Sequence, residues 1–153
     1  MRLLRMLSVL LIISVPALAA DNPFTGTWKL NLAKSRLLPG DTTRSDVYRA
    51  VADESTIRIT EQVSDIKGLH DITVDAKFDG KDYPVKGDLV SDSVSYHRLS
   101  ADRIKVITKK GARITAKAIA AVSTNRKTIT VSFTVYEQGK RRRGIAVYEK
   151  QPD

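Results

Sequence analysis

From residue 44 onward apolar and polar positions alternate with a period of two, and no apolar stripe of period 3.6 persists beyond a turn or two. The segment from His70 to Phe78 is the plainest case. Ile72, Val74, Ala76 and Phe78 fall on one face, with Asp71, Thr73, Asp75 and Lys77 on the other. Successive side chains of a strand point to opposite faces, so this is the pattern of a half-buried strand. The same criterion predicts strands at 24–32, 46–52, 55–63, 82–86, 94–99, 103–109, 113–123, 128–137 and 145–150. Between the first two, Ala33 to Gly40 has room for one helical turn before Pro39-Gly40 ends it. Elsewhere the punctuation is short: Asp79-Gly80, Gly87-Asp88, Ser100-Ala101-Asp102, Lys110-Gly111, Thr124-Asn125-Arg126 and Gln138-Gly139.

Nine or ten strands joined by a few residues each make a meander, in which neighbours in sequence pair in space. A sheet that large twists until it curls or splits. Closure into an up-and-down barrel removes the exposed edges, whereas a two-sheet sandwich keeps them. No long Greek-key connection is present, so the expected fold is an all-β, up-and-down antiparallel barrel.

The N-terminus follows a different rule. Arg2 and Arg5 precede an apolar run from Met6 to Val15, followed by Pro16-Ala17-Leu18-Ala19-Ala20. A charged start, a short apolar stretch and small residues at an A-x-A site are the parts of a secretory signal peptide. The run is well short of the roughly 20 residues that a membrane span requires. Cleavage is expected after Ala19 or Ala20, which leaves residues 21–153 as a single domain exported to the periplasm or the extracellular space.

Charge and cysteine content narrow the partners. Residues 21–100 carry eleven Lys/Arg against thirteen Asp/Glu, whereas residues 101–150 carry thirteen against three. The formal charge of +9 therefore belongs to the C-terminal third. An anionic partner would suit it, and so would a merely solvated outer sheet face. The chain has no cysteine, which rules out disulfides, thiol nucleophiles, Cys-ligated zinc and a lipobox anchor.

Two segments carry a family resemblance. Phe24-x-Gly26-Thr27-Trp28-Lys29-Leu30 resembles the opening strand of the calycin superfamily, the lipocalins and fatty-acid-binding proteins, in which a Gly-x-Trp motif begins the barrel. Val147-Tyr148-Glu149-Lys150 resembles the closing strand of the fatty-acid-binding branch, and Lys77 to Val85 followed by Gly87 is similar to secreted bacterial lipocalin-like proteins. The resemblance implies a barrel closed by its first and last strands and a small hydrophobic or amphipathic ligand. Gly26 would let backbone pass close beneath Trp28, whose ring would plug the closed end. Two departures bear on the ligand. The segment from Ala33 to Gly40 is too short for the helix-turn-helix lid of fatty-acid-binding proteins. Their carboxylate-holding Arg-x-Tyr reads Ala146-Val147-Tyr148 here, so the arginine is missing and fatty-acid binding by that mechanism is not expected.

No catalytic constellation emerges. His70 and His97 lack metal-ligand spacing, no serine sits in Gly-x-Ser-x-Gly, and no Gly-rich phosphate loop occurs. Asp71, Asp75, Asp79, Asp82 and Asp88 do not match an EF-hand loop, and strand alternation puts Asp71 and Asp75 on one solvated outer face with Lys77. Neither a metal nor a cofactor is therefore expected. The run Lys140-Arg141-Arg142-Arg143 sits at a hairpin tip or at the start of the last strand. It could hold phosphate or sulfate groups of a polyanion or anionic membrane, or simply guard a strand edge. No aromatic ladder interleaves with these cations, which argues against nucleic acid.

A binding role is better supported than catalysis. Ala116, Ala118 and Ala120 share a face with Ile114 and Val122, and Ile129, Val131, Phe133 and Val135 face them. Alanines leave room, as a cavity or as close backbone packing. Trp28, Phe133 and Tyr148 are the candidate ligand-proximal residues, with the Tyr148 hydroxyl as a donor to a ligand headgroup. The expected function is an exported lipocalin-like binding protein; the alternative is an interaction module that docks its basic C-terminal face on a polyanion, an anionic membrane or a protein.

Overall fold

A computed structural model describes residues 21–152; the expected signal peptide lies outside the described residues. The strands are β1 (Gly26–Leu30), β2 (Ser45–Ala52), β3 (Thr56–Asp65), β4 (Gly68–Lys77), β5 (Tyr83–Lys86), β6 (Ser93–Ser100), β7 (Arg103–Lys110), β8 (Arg113–Val122), β9 (Thr128–Glu137) and β10 (Lys140–Lys150). A 3-10 turn, Leu32–Lys34, follows β1, where one helical turn was anticipated. Each strand pairs antiparallel with the next, and β1 also pairs with β10, so ten strands close into an up-and-down barrel rather than a sandwich.

The seam forms because β1 is short and is satisfied on both edges. Trp28 lies opposite Lys150 on β10 and opposite Tyr48 on β2, and Leu30 lies opposite Tyr148. Beyond the strand ends, Gln151 N–H donates to the Thr27 carbonyl and Asn31 N–H to the Val147 carbonyl, both at 2.8 Å. No backbone edge is left open at this junction, which is the reason for closure.

An up-and-down path sends alternate connections to opposite ends. One end holds the β2–β3, β6–β7 and β8–β9 turns and is filled by Phe24, Trp28, Ile57, Ile104, Val122 and Ile129, all buried. Trp28 is fully buried, with 0% exposure, and its indole N–H donates to the Phe24 carbonyl at 3.0 Å. The ring therefore packs as a floor with its polar atom satisfied. The opposite end carries the β3–β4, β7–β8 and β9–β10 turns. The β9–β10 turn is a two-residue loop with Gln138 and Gly139 both at positive φ (47° and 76°), as a tight type I′ hairpin needs.

Several details depart from the sequence pattern. Phe24 precedes β1 instead of belonging to it, its N–H held by the Asn22 side chain at 3.0 Å. The last strand begins five residues earlier than the apolar alternation indicates, at Lys140, because backbone pairing with β9 does not require apolar side chains. Gly26, at φ 142°, makes room for a side chain and not for backbone beneath Trp28: a Cβ there would stand 2.6 Å from Cε of Lys150. A bulge in the β7–β8 ladder sets Thr108 opposite Ala116 but Lys109 opposite Ile114. The extra residue, Thr115, is buried, and Ile114 leaves the face of Ala116, Ala118 and Ala120. Thr115 is satisfied there by the hydroxyls of Ser91 (2.8 Å) and Thr108 (2.7 Å).

Because the Trp28 ring is fully buried in the floor, Trp28→Ala is expected to cost about 3–5 kcal/mol of unfolding free energy. A urea titration followed by circular dichroism measures it; a loss below about 1 kcal/mol, the range of surface substitutions, would mean the ring is not the floor.

Candidate functional site

Above this floor the barrel interior holds a cavity of about 160 Å³. Its walls come from strands all round the barrel: Tyr48 and Ala50 from β2, Ile59 and Glu61 from β3, Tyr96 from β6, Ala118 and Ala120 from β8, Val131 from β9 and Tyr148 from β10. The two alanines of β8 thus border empty space and are not simply zones of close backbone contact. A second hollow, at the closed end, is bordered by the turn residues Asp53, Glu54 and Ala101 together with Arg98 of β6.

The polar content of the cavity is acidic and phenolic. Glu61 is the one charged residue among its lining residues, and no lysine, arginine or histidine borders it. Glu61 lies at the inward parity of β3, in line with Ile57 and Ile59, directly opposite Tyr48 of β2. Asp46 is two residues before Tyr48 on the same face of β2, hence diagonal to Glu61. Asp46 is buried, at 7% exposure, and accepts the Tyr148 hydroxyl on Oδ2 at 2.6 Å. Tyr148 reaches it across β1, and its ring meets that of Tyr48 edge to face with centroids 5.0 Å apart.

Two carboxyls in an apolar interior cannot both ionise cheaply. Burial raises Asp46 above the ordinary carboxylate range, against the opposing pull of its hydrogen bonds to Tyr148 and Glu61. Glu61 is held well above its ordinary value, first by burial and then by the charge of Asp46. Asp46 Oδ1 is buried and has no hydrogen-bond partner among the described residues. The interaction with Asp46 raises Glu61 further while the one with Glu61 lowers Asp46, so the two titrate as a unit in which Glu61 holds its proton to the higher pH. Burial also pushes the phenols of Tyr48, Tyr96 and Tyr148 up, which keeps them neutral.

The candidates drawn from the sequence are thereby separated. Tyr148 lines the cavity, and its hydroxyl donates to Asp46 Oδ2 at 2.6 Å. Trp28 lies in the floor outside the lining. Phe133 lies opposite Gly144 of β10, and a Cβ on Gly144 would collide with the Phe133 ring, so this pair is a local packing device away from the cavity. Lys140, Arg141, Arg142 and Arg143 are exposed on the first half of β10 and form no ion pair among the described residues. Strand alternation sets Arg142 in the phase of Gly144 and Ala146 while Arg141 and Arg143 share the outer face, so the run is split between two directions.

The aspartates of the acidic stretch serve local ends. Asp75 pairs with Arg58 at 2.9 Å and Asp82 with Lys109 at 2.6 Å, while Asp79 accepts the Tyr83 hydroxyl at 2.9 Å. His70 meets Asp65 at 3.2 Å and His97 is exposed. Asp46, Tyr48, Glu61 and Tyr96 were not among the candidates from the sequence. A carboxylate in the apolar phase of an alternating strand was the available signal, since Glu61 follows Ile57 and Ile59 at steps of two.

Comparison with models of protein families, with curated proteins and with solved structures finds no match for this chain.

Raised carboxyl pKa values fix the sign of a pH effect. The stability that Glu61 contributes is full below its unfolded value, near 4.5, and is lost as pH rises through its elevated folded value. Asp46, Tyr48, Tyr96, Tyr148 and the more distant Asp88 are the titratable groups acting on it or responding to it. Glu61→Gln keeps a donor for Asp46 without the proton. Its melting temperature is expected to exceed that of the parent above about pH 5, with the gap widening as the pH rises and closing below about pH 4. A gap that widens instead on acidification would contradict a Glu61 carboxyl raised by burial.

Proposed function

We propose that the protein is an exported, lipocalin-like binding protein of the calycin type that carries or senses a small hydrophobic or amphipathic molecule inside its barrel. One observation carries the proposal: an internal cavity of about 160 Å³ whose walls are apolar apart from one acid and three phenols. Ligand sites are typically apolar with a few placed polar groups. A dry engineered cavity of about 150 Å³ is large enough for benzene, so a single ring or a short branched chain is the scale of molecule that fits without rearrangement. A long acyl chain is not. The calycin assignment rests on the Gly26-x-Trp28 opening and the Val147 to Lys150 closing segments, which occupy the paired first and last strands. Export rests on the character of residues 1–20.

A second proposal, docking on an anionic surface, draws support from Arg141 and Arg143, exposed on one face of β10 and in no ion pair among the described residues. Both can be tested in one campaign. Titration with a small fluorescent hydrophobic probe is expected to saturate at one site and to be displaced by ring-sized apolar compounds, whereas Ala118→Leu, which fills the cavity, abolishes it. Probe binding that never saturates, or that survives Ala118→Leu, would reject the carrier. Anionic vesicles added to the same protein are expected to bind only at low salt and to be lost when Arg141, Arg142 and Arg143 become alanine; binding indifferent to salt would reject the docking surface.

A further inference from the structure

The carrier proposed above leaves the chemistry of its ligand open, and the cavity wall narrows it. Glu61 faces the space, and behind it Asp46 is tied to the Tyr148 hydroxyl at 2.6 Å. Three phenol rings, Tyr48, Tyr96 and Tyr148, line the same space together with the Phe24 ring. No basic side chain borders it, although the chain as a whole carries a formal +9. A carboxylate surrounded by aromatic faces is the chemistry that holds an ammonium group, because the ring quadrupoles and the anion both favour a cation. The same wall repels a carboxylate ligand, which would meet an acid with no basic partner in a medium that screens poorly.

We propose that the cavity selects small aromatic or branched aliphatic amines, with the ammonium group hydrogen-bonded to Glu61 and enclosed by the rings of Tyr48, Tyr96 and Tyr148. This rests on the carrier proposal and extends it to a substrate class. Asp46 acts as a positioning residue: held by Tyr148, it keeps the Glu61 carboxyl at the wall. Buried and lacking a second donor on Oδ1, the pair is left with excess acceptor capacity that a cation fills. When the ammonium enters, the proton that burial favours on Glu61 passes to the solvent buffer, and the ion pair formed in the cavity is between the ammonium and the newly ionised Glu61 carboxylate.

The test is calorimetric titration of the protein at pH 7 with benzylamine, benzyl alcohol and benzoate, which share one ring and differ in the polar atom. Benzylamine is expected to bind at least about tenfold more tightly than benzyl alcohol, the worth of a hydrogen bond to a charged group, and benzoate to show no measurable binding. Repeating the benzylamine titration in buffers of different ionisation enthalpy is expected to show release of about one proton per amine bound, and none for the alcohol. In Glu61→Gln the amine preference is expected to disappear while the alcohol still binds. Benzoate or benzyl alcohol binding as tightly as the amine, or amine binding without proton release, would overturn the amine assignment and leave the carrier standing. Failure of all three compounds to bind would overturn both. The proton count uses the unaltered protein, so it decides the matter even if Glu61→Gln does not fold.

Discussion

The three-residue pairing of β1 with β10 is the contact on which the other features depend. Trp28, Lys29 and Leu30 lie opposite Lys150, Glu149 and Tyr148, and this short ladder turns a ten-strand meander into a tube. An open sheet of the same strands would expose two edges and leave its inner face half covered. With the seam made, β1 also becomes the spacer across which Tyr148 reaches Asp46, since β10, β1 and β2 are consecutive around the wall. The phenol-to-carboxyl bond at 2.6 Å is therefore a by-product of closure, and the acidic wall of the cavity is organised by it.

Two ends with different jobs follow from the up-and-down path. The end beneath the cavity is packed by Phe24, Trp28, Ile57, Ile104, Val122 and Ile129, where an aromatic floor with a satisfied indole excludes water. Higher in the barrel, small side chains at Ala118 and Ala120 leave the volume that the floor does not. The contrast is one of side-chain size along strands of equal backbone form. Polar groups buried in this interior are managed in two ways: Ser91, Thr108 and Thr115 satisfy one another around the bulge, whereas Glu61 faces open space and Asp46 behind it keeps Oδ1 without a partner among the described residues. Only the second arrangement leaves unsatisfied capacity for something that enters.

Much of the fold could be read from the chain because period-two alternation and short turn motifs report the same meander twice. Strand boundaries at Lys140 and Phe24 were harder, since backbone pairing extends β10 through a run of charges and an Asn22 cap ends the sheet before Phe24. The bulge at Thr115 was invisible in the pattern, and with it the departure of Ile114 from the alanine face, because one extra residue reverses the parity of everything on the far side. For the site, Tyr148 came from its place in the closing segment. Asp46 and Glu61 did not, because their meaning depends on a diagonal across β2 and β3 that only the register supplies. In linear view they are two acids among many.

Closure also sets what kind of experiment speaks to the whole account. Backbone contacts between β1 and β10 are separated by more than a hundred residues in sequence, so no local structure can produce them. Nuclear Overhauser spectroscopy of the labelled protein addresses them directly: cross-strand contacts between the backbone protons of Lys29 and Glu149, and of Leu30 and Tyr148, are predicted alongside those joining β1 to β2. A spectrum in which β1 shows contacts to β2 alone, with β10 paired only to β9, would contradict the closed barrel and the site it assembles.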